Sequence, residues 1–287
     1  MNPFRPPFAA LFLLAALAAS RPLPAQEAAP APNPTPAAAG SLPLETIVQR
    51  ANHAAYYQGK DGRAQVTMTI TDAQGRTRER QFTILRRDDQ PQGSDDTHCA
   101  DQKFYIYFQR PADVNKMSFL VWKQVERDDD RWLYLPALDL VKRIAASDKR
   151  TSFAGSDFFY EDVSGRNLSE DKHELVETTA TAYVLKNTPL KPETVEFSAF
   201  TMVIDKATFL PLKTTFLDRN GQPYRIYEAL ETKLVQGHPT VVKAKMSDLR
   251  GGGHTVTTYA EVTYDLDLPE SIFSERYLRA APRKYLR

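Results

Sequence analysis

From Ala64 to Asp265 the chain reads as a succession of short strands that return every dozen or so residues, with turn residues between them. Ala64 to Thr71 alternates, placing Val66, Met68 and Ile70 on one face, and Asp72-Ala73-Gln74-Gly75 follows as a hairpin turn. Arg76 to Arg87 returns with Phe82 and Ile84 among polar neighbours. Lys103 to Gln109 sets Phe104, Ile106 and Phe108 against Tyr105 and Tyr107 on its other face. Met117 to Trp122, Trp132 to Leu135 and Asp139 to Ile144 come next, with Pro136 ending the second of these because it has no N–H for a ladder. Later strands are expected at Leu175 to Lys186, Val195 to Ile204, Phe209 to Leu217, Tyr224 to Leu234, Thr240 to Leu249 and His254 to Asp265. Asp218-Arg219-Asn220-Gly221 and Gly251-Gly252-Gly253 are turns between them. No segment in this region reads as a helix long enough to cross over between parallel strands. The pattern therefore predicts a mainly β domain, one antiparallel meander.

One helix is expected ahead of it, over Ser41 to Tyr57. Leu44, Ile47, Val48, Ala51 and Ala55 form one apolar stripe there, and Gly59 and Gly62 end it. The first residues read as an export signal: Arg5 precedes an apolar run from Ala9 to Ala19, too short to span a bilayer. Cleavage is expected after Ser20 or after Ala25, and the sequence leaves both open. No cysteine follows the apolar run, so this signal does not mark a lipoprotein. Gln26 to Gly40, rich in Pro and Ala, is a spacer with nothing to bury. The expected organisation is a signal peptide over 1–25, a spacer over 26–40 and one domain over 41–287, in a periplasmic protein.

A net charge of +1 over 287 residues gives no global pull toward nucleic acid or anionic lipid. The sequence has no G-x-S-x-G, H-E-x-x-H, P-loop or G-x-G-x-x-G, so neither an enzyme nor a cofactor is expected. Cys99, the single cysteine, lies beside His98 and reads as an unpaired loop thiol. Glu161-Asp162 is read as a solvated or capping pair, and Ser156-Asp157 as a turn or helix cap. Lys142-Arg143, Lys149-Arg150 and the tail residues Arg279, Arg283, Lys284 and Arg287 are either a solvated surface or contacts for lipid phosphates or an acidic partner. The middle strands are unusual. Phe104 to Phe108, Met117 to Trp122 and Trp132 to Leu135 are apolar on both faces, where a half-solvated sheet should alternate. Either structural cover or an apolar ligand meets the second face.

The same region carries a resemblance. Leu133-Tyr134-Leu135-Pro136-Ala137-Leu138, Lys142-Arg143-Ile144 and the run Ser152 to Val163 resemble the LolA-like outer-membrane lipoprotein-sorting protein family. Arg110 to Val114, Phe119 to Trp122, Gly253-His254-Thr255, Leu268-Pro269-Glu270 and Phe273 extend the likeness over roughly Leu42 to Leu278. Two departures are Ala154, where the family has Met, and Lys116-Met117, where it has Gly. The resemblance implies a single curved antiparallel sheet, a LolA/LolB-like half-barrel, with helices covering an apolar hollow that holds acyl chains. The candidate lipid-binding residues are Phe104, Ile106, Phe108, Phe119, Val121, Trp122, Trp132, Tyr134, Phe158 and Phe159. At least one of the two Trp rings is expected to face the hollow. The implied partners are lipid or lipoprotein acyl chains, with transient membrane contact. The alternative is a non-carrying adaptor of an inner-membrane exporter, contacting it through the spacer and the polar loops Asp88 to Asp101 and Asp128 to Asp130.

Overall fold

The computed structural model describes residues 42–89, 96–97 and 99–287. The expected signal peptide and spacer, and His98, lie outside these. Helix α1 (Leu44–Tyr56) leads into strands β1 (Asp61–Thr71), β2 (Thr77–Asp88), β3 (Gln102–Arg110), β4 (Ser118–Lys123), β5 (Asp130–Leu135) and β6 (Leu140–Ile144). A connection containing the short helix α2 (Tyr160–Ser164) follows. The chain then returns to strands β7 (Asp171–Thr178), β8 (Ala182–Pro189), β9 (Ala199–Asp205), β10 (Pro211–Leu217), β11 (Pro223–Val235), β12 (His238–Asp248) and β13 (Gly253–Tyr264). It ends in irregular turns around α3 (Arg276–Arg279).

All thirteen described strands form one sheet, in the order β6-β5-β4-β3-β2-β1-β13-β12-β11-β10-β9-β8-β7. Every pairing is antiparallel, as the meander pattern predicts. The sheet is curved and unclosed. Its two edges, β6 and β7, are consecutive in sequence, so residues 145–170 have to travel from one edge of the sheet to the other.

Alternate residues of the same strands feed two different cores, as the pleat requires. One face of β1–β4 contributes Val66, Met68, Phe82, Phe104, Ile106, Phe108, Phe119 and Val121. The connection lies on this face and adds Phe153 and Tyr160. The opposite face contributes Leu85, Tyr105, Leu120 and Trp132, covered by Leu268, Ile272, Phe273, Leu278 and Leu286 of the C-terminal segment. Asp61 starts that cover. Its buried carboxylate accepts the backbone N–H groups of Leu266 and Leu268, both at 2.7 Å. Helix α1 sits at the other end of the sheet, packing Ile47, Val48 and Ala51 against Tyr183, Leu185 and Ile204 of β8 and β9.

The expected strand from Leu175 to Lys186 is two strands. The chain reverses at Thr179–Thr181, where no Gly, Pro or Asn announces a turn. The Thr179 hydroxyl supplies the missing chemistry by accepting the Ala182 N–H at 2.9 Å. Before β4, Lys116 takes the left-handed conformation (φ 67°), and its N–H bonds the Phe108 carbonyl at 2.9 Å.

Candidate functional site

Residues 145–170 form a strap across the sheet, and the strap holds the run that carries the family resemblance. Its anchor is Phe153, buried against the rings of Phe82, Phe108, Phe119 and Tyr160 at centroid distances of 5.5–6.1 Å. The chain then doubles back. Ala154 and Gly155 both take positive φ (53° and 77°), and the Ser156 hydroxyl closes the turn on the Phe153 carbonyl at 2.6 Å. Asp157 ties this loop to β13, accepting the Thr255 hydroxyl at 2.6 Å. Asp162 caps α2 by accepting the Phe159 N–H at 2.6 Å. Arg225, buried on β11, pairs with Asp162, donates to the Asp157 carbonyl at 3.1 Å and lies over the Phe159 ring at 3.9 Å. Past α2, Gly165 has φ 76°, and a Cβ there would stand 2.6 Å from the Tyr56 ring. Only glycine lets the strap approach α1 so closely.

Between the strap, α1 and the sheet lies a cavity of about 410 Å³. Val48, Ala51 and Ala55 of α1 line one side; Ala55 is also exposed and marks an opening. The sheet supplies an apolar wall from both halves, including Met68, Ile84, Phe200, Phe216, Tyr227 and Met246. The volume falls in the usual range for small-molecule sites, roughly 300–1,000 Å³, and so does the mostly apolar lining with a few polar groups.

The polar part of the wall is an ion network under the strap. Glu161 is buried and lies 3.1 Å from Lys149, 3.4 Å from Arg166 and 3.7 Å from Arg150. Burial pushes its pKa up, but Lys149, Arg166 and Arg150 outweigh it and hold the carboxyl below its ordinary value. Arg166 also pairs with Asp171 at 2.8 Å, and burial raises the Asp171 carboxyl against that pull. Asn187 and the Leu168 carbonyl hold the two ring nitrogens of His173 at 2.6 and 2.9 Å. A second buried cation braces the strap end. Lys123 Nζ donates to the Ser164 carbonyl at 2.6 Å, and burial lowers its pKa to about 8 despite the Asp129 carboxylate nearby.

Of the expected lipid-binding residues, Phe104, Ile106, Phe158 and Phe159 line the cavity. Phe108, Phe119 and Val121 share the strap-side core with Phe104 and Ile106, but they sit outside the lining, and Phe108 and Phe119 pack on the Phe153 anchor. Trp122, Trp132 and Tyr134 lie on the opposite face, beneath the C-terminal segment. Trp122 donates to the Phe273 carbonyl at 2.7 Å and meets Trp132 edge-on at 4.9 Å. The expectation that a Trp ring faces the hollow is therefore corrected: strand parity separates the rings properly, but the face with the tryptophans is the covered one. The far wall from β9 to β12 was not foreseen. Phe200 and Phe216 are directly paired across β9 and β10, a cross-strand signal that the sequence did carry.

Other expectations also change. Glu161 is buried rather than solvated, while Asp162 does cap. In the expected turn at Asp128 to Asp130, Asp128 is exposed but Asp129 and Asp130 turn their carboxylates inward. The Asp129 side chain is 4% exposed and holds Arg131 at 2.6 Å, and Asp130 is buried beside Arg127 and Arg143. Asp88 is buried against Arg86 as well. Within the two loops that an adaptor would present, these carboxylates are used internally. Cys99 accepts a hydrogen bond from Asn52 at 3.0 Å, which ties it to α1. Among the described residues, no group of three or more His, Cys, Asp or Glu is placed to hold a metal ion. No described helix is long and apolar enough to cross a membrane.

The single curved, unclosed antiparallel sheet is shared with solved structures of lipoprotein-sorting and LolA superfamily proteins. The chain is 28% identical to a DUF1329 family protein from Desulfovibrio piger, which superposes with a TM-score of 0.72 over 82% of this chain and 97% of that one. A domain described as an outer membrane lipoprotein-sorting protein, from Vibrio parahaemolyticus, is 26% identical with a TM-score of 0.70 over 82% and 97%. A LolA superfamily protein from Nitrosomonas europaea, at 16% identity, shares the fold with a TM-score of 0.63 over 83% and 100%. No curated protein matches the sequence. A protein-family model described as an uncharacterized protein matches residues 100–280, and the chain belongs to that family.

Proposed function

We propose that this protein is a non-enzymatic periplasmic carrier whose cavity takes the acyl chains of a lipid or lipoprotein on its way toward the outer membrane. The observation that carries the reading is the cavity itself, an apolar space of about 410 Å³ that thirteen strands, a helix and a strap leave unfilled. Protein interiors normally close such spaces. Burying an acyl chain gains about 0.8 kcal/mol per CH₂, so a wall of Phe, Met and Val side chains holds one without specific polar contacts. The likeness to a lipoprotein-sorting domain supports the same class of cargo. The export signal read at the N-terminus supports the compartment.

The test is a titration of delipidated protein with a fluorescent fatty acid, beside the variant Ala55→Trp. Ala55 is exposed at the opening, so an indole there fills the entrance without disturbing the core. The wild type is expected to bind the probe with saturation and the variant to bind at least tenfold more weakly at an unchanged melting temperature. Equal binding by both proteins, or none by either, would count against the carrier reading.

A further inference from the structure

The chain is nearly neutral as a whole, but its last twelve residues are not. From Arg276 to Arg287 the segment carries Arg276, Arg279, Arg283, Lys284 and Arg287 and no acidic residue. Its backbone is fastened to the sheet. Tyr105 donates to the Tyr277 carbonyl at 2.8 Å, Ser118 to Leu278 at 2.7 Å, and Thr83 and Gln65 to Leu286 at 3.2 and 3.1 Å. With Leu278 and Leu286 buried beneath it, the five cations are turned outward, and all five are exposed. The cover that shields one apolar face thus presents a basic outer surface.

That surface adjoins an apolar tip. Arg279 reaches the β5–β6 turn, pairing with Asp139 at 3.1 Å and lying over the Tyr134 ring. Leu138, in that turn, is 69% exposed, and Leu140, at the start of edge strand β6, is 45% exposed. Arg279 takes up the one carboxylate between them; further along β6, Arg143 lies on the cover face over the Trp132 ring, while Leu140 and Lys142, opposite Leu135 and Leu133, turn to the strap face. Exposed Val176 and Leu230, in contrast, have carboxylates two residues before and one residue after them.

We propose that this face, the C-terminal cover together with Leu138 in the adjoining β5–β6 turn, docks the protein on an anionic lipid bilayer. A leucine that projects from a turn enters a headgroup layer and needs no pocket in a partner, and a band of cations beside it meets lipid phosphates. The cavity is on the opposite face of the sheet, so docking leaves the strap and the Ala55 opening free. The inference stands whatever the cargo is.

Flotation with phosphatidylcholine vesicles, with and without phosphatidylglycerol, tests it. The wild-type protein is expected to float with phosphatidylglycerol vesicles at low salt, to release as salt rises, and to ignore pure phosphatidylcholine. Each cation near an anionic surface is worth about fivefold in partitioning, so Arg283→Ala/Lys284→Ala/Arg287→Ala is expected to bind about a hundredfold more weakly. Leu138→Ser is expected to lose about tenfold. Melting temperatures establish that both variants are folded. Ala55→Trp, which blocks the cavity, is expected to float like wild type. Three results would each overturn the proposal: equal flotation with neutral vesicles, wild-type binding by the triple variant, or loss of flotation in Ala55→Trp, which would assign the lipid contact to the cavity instead.

Discussion

Glu161 sits where the strap's charges meet. Three cations hold its carboxyl below the ordinary value of 4.5 although burial opposes them. As pH falls, the unfolded chain therefore takes up this proton before the folded one does. The stability this charge contributes is present in full above pH 4.5 and is lost as the pH falls from there through the folded value. Glu161→Gln is expected to lose about 1–3 kcal/mol at neutral pH, because the half-buried Lys149, Arg150 and Arg166 lose one partner but keep Glu170, Glu196 and Asp171. Its melting temperature should also fall less between pH 6 and pH 3 than that of the wild type; parallel curves would show that Glu161 is not the group that titrates. Trp132 makes a different prediction. It is 8% exposed, against Trp122 and beneath the C-terminal cover, so Trp132→Ala is expected to cost about 3–5 kcal/mol in denaturant unfolding while any folded fraction keeps wild-type probe affinity. The alternation along β4 and β5 was legible in the sequence and separates Trp132 and Tyr134 from Leu133 and Leu135. Which of the two faces was hollow was not legible. That depends on Leu268, Ile272 and Phe273, more than a hundred residues away, folding back as a cover.

At the scale of elements, the strands were the most readable part because a half-buried sheet writes its period into the sequence. The one missed reversal, at Thr179–Thr181, is made by a threonine hydroxyl instead of a backbone that only glycine adopts. The strap was legible only through family likeness. Its shape depends on Phe153 finding three rings from distant strands, on Asp162 capping a helix of five residues, and on Arg225 arriving from β11. No local period encodes any of these. Arg225 holds the strap by a carboxylate, a carbonyl and a ring at once. Arg225→Gln is expected to keep the sheet folded but to expose residues 150–165 to limited proteolysis and to speed release of a bound probe. Resistance to protease equal to that of the wild type would mean that the Phe153 anchor alone fixes the strap.

At the scale of the whole molecule, the topology explains the cavity. A sheet whose strand β6 and next strand, β7, lie at opposite margins needs a connection that spans it. The sheet curves beneath that connection without closing. The strap fills the end where Phe153 packs, and the cover fills the other face. Helix α1 packs on β8 and β9 through Ile47, but between α1, the strap and the rest of the sheet the described chain leaves the cavity unfilled. The central claim is that an acyl chain fills it. Native mass spectrometry of the protein purified from a cell envelope, without detergent washing, tests this most directly. The account predicts a species heavier than the polypeptide by the mass of an acylated molecule, lost on delipidation and much reduced in Ala55→Trp. A single species at the polypeptide mass, from protein that also fails to take up added fatty acid, would contradict it.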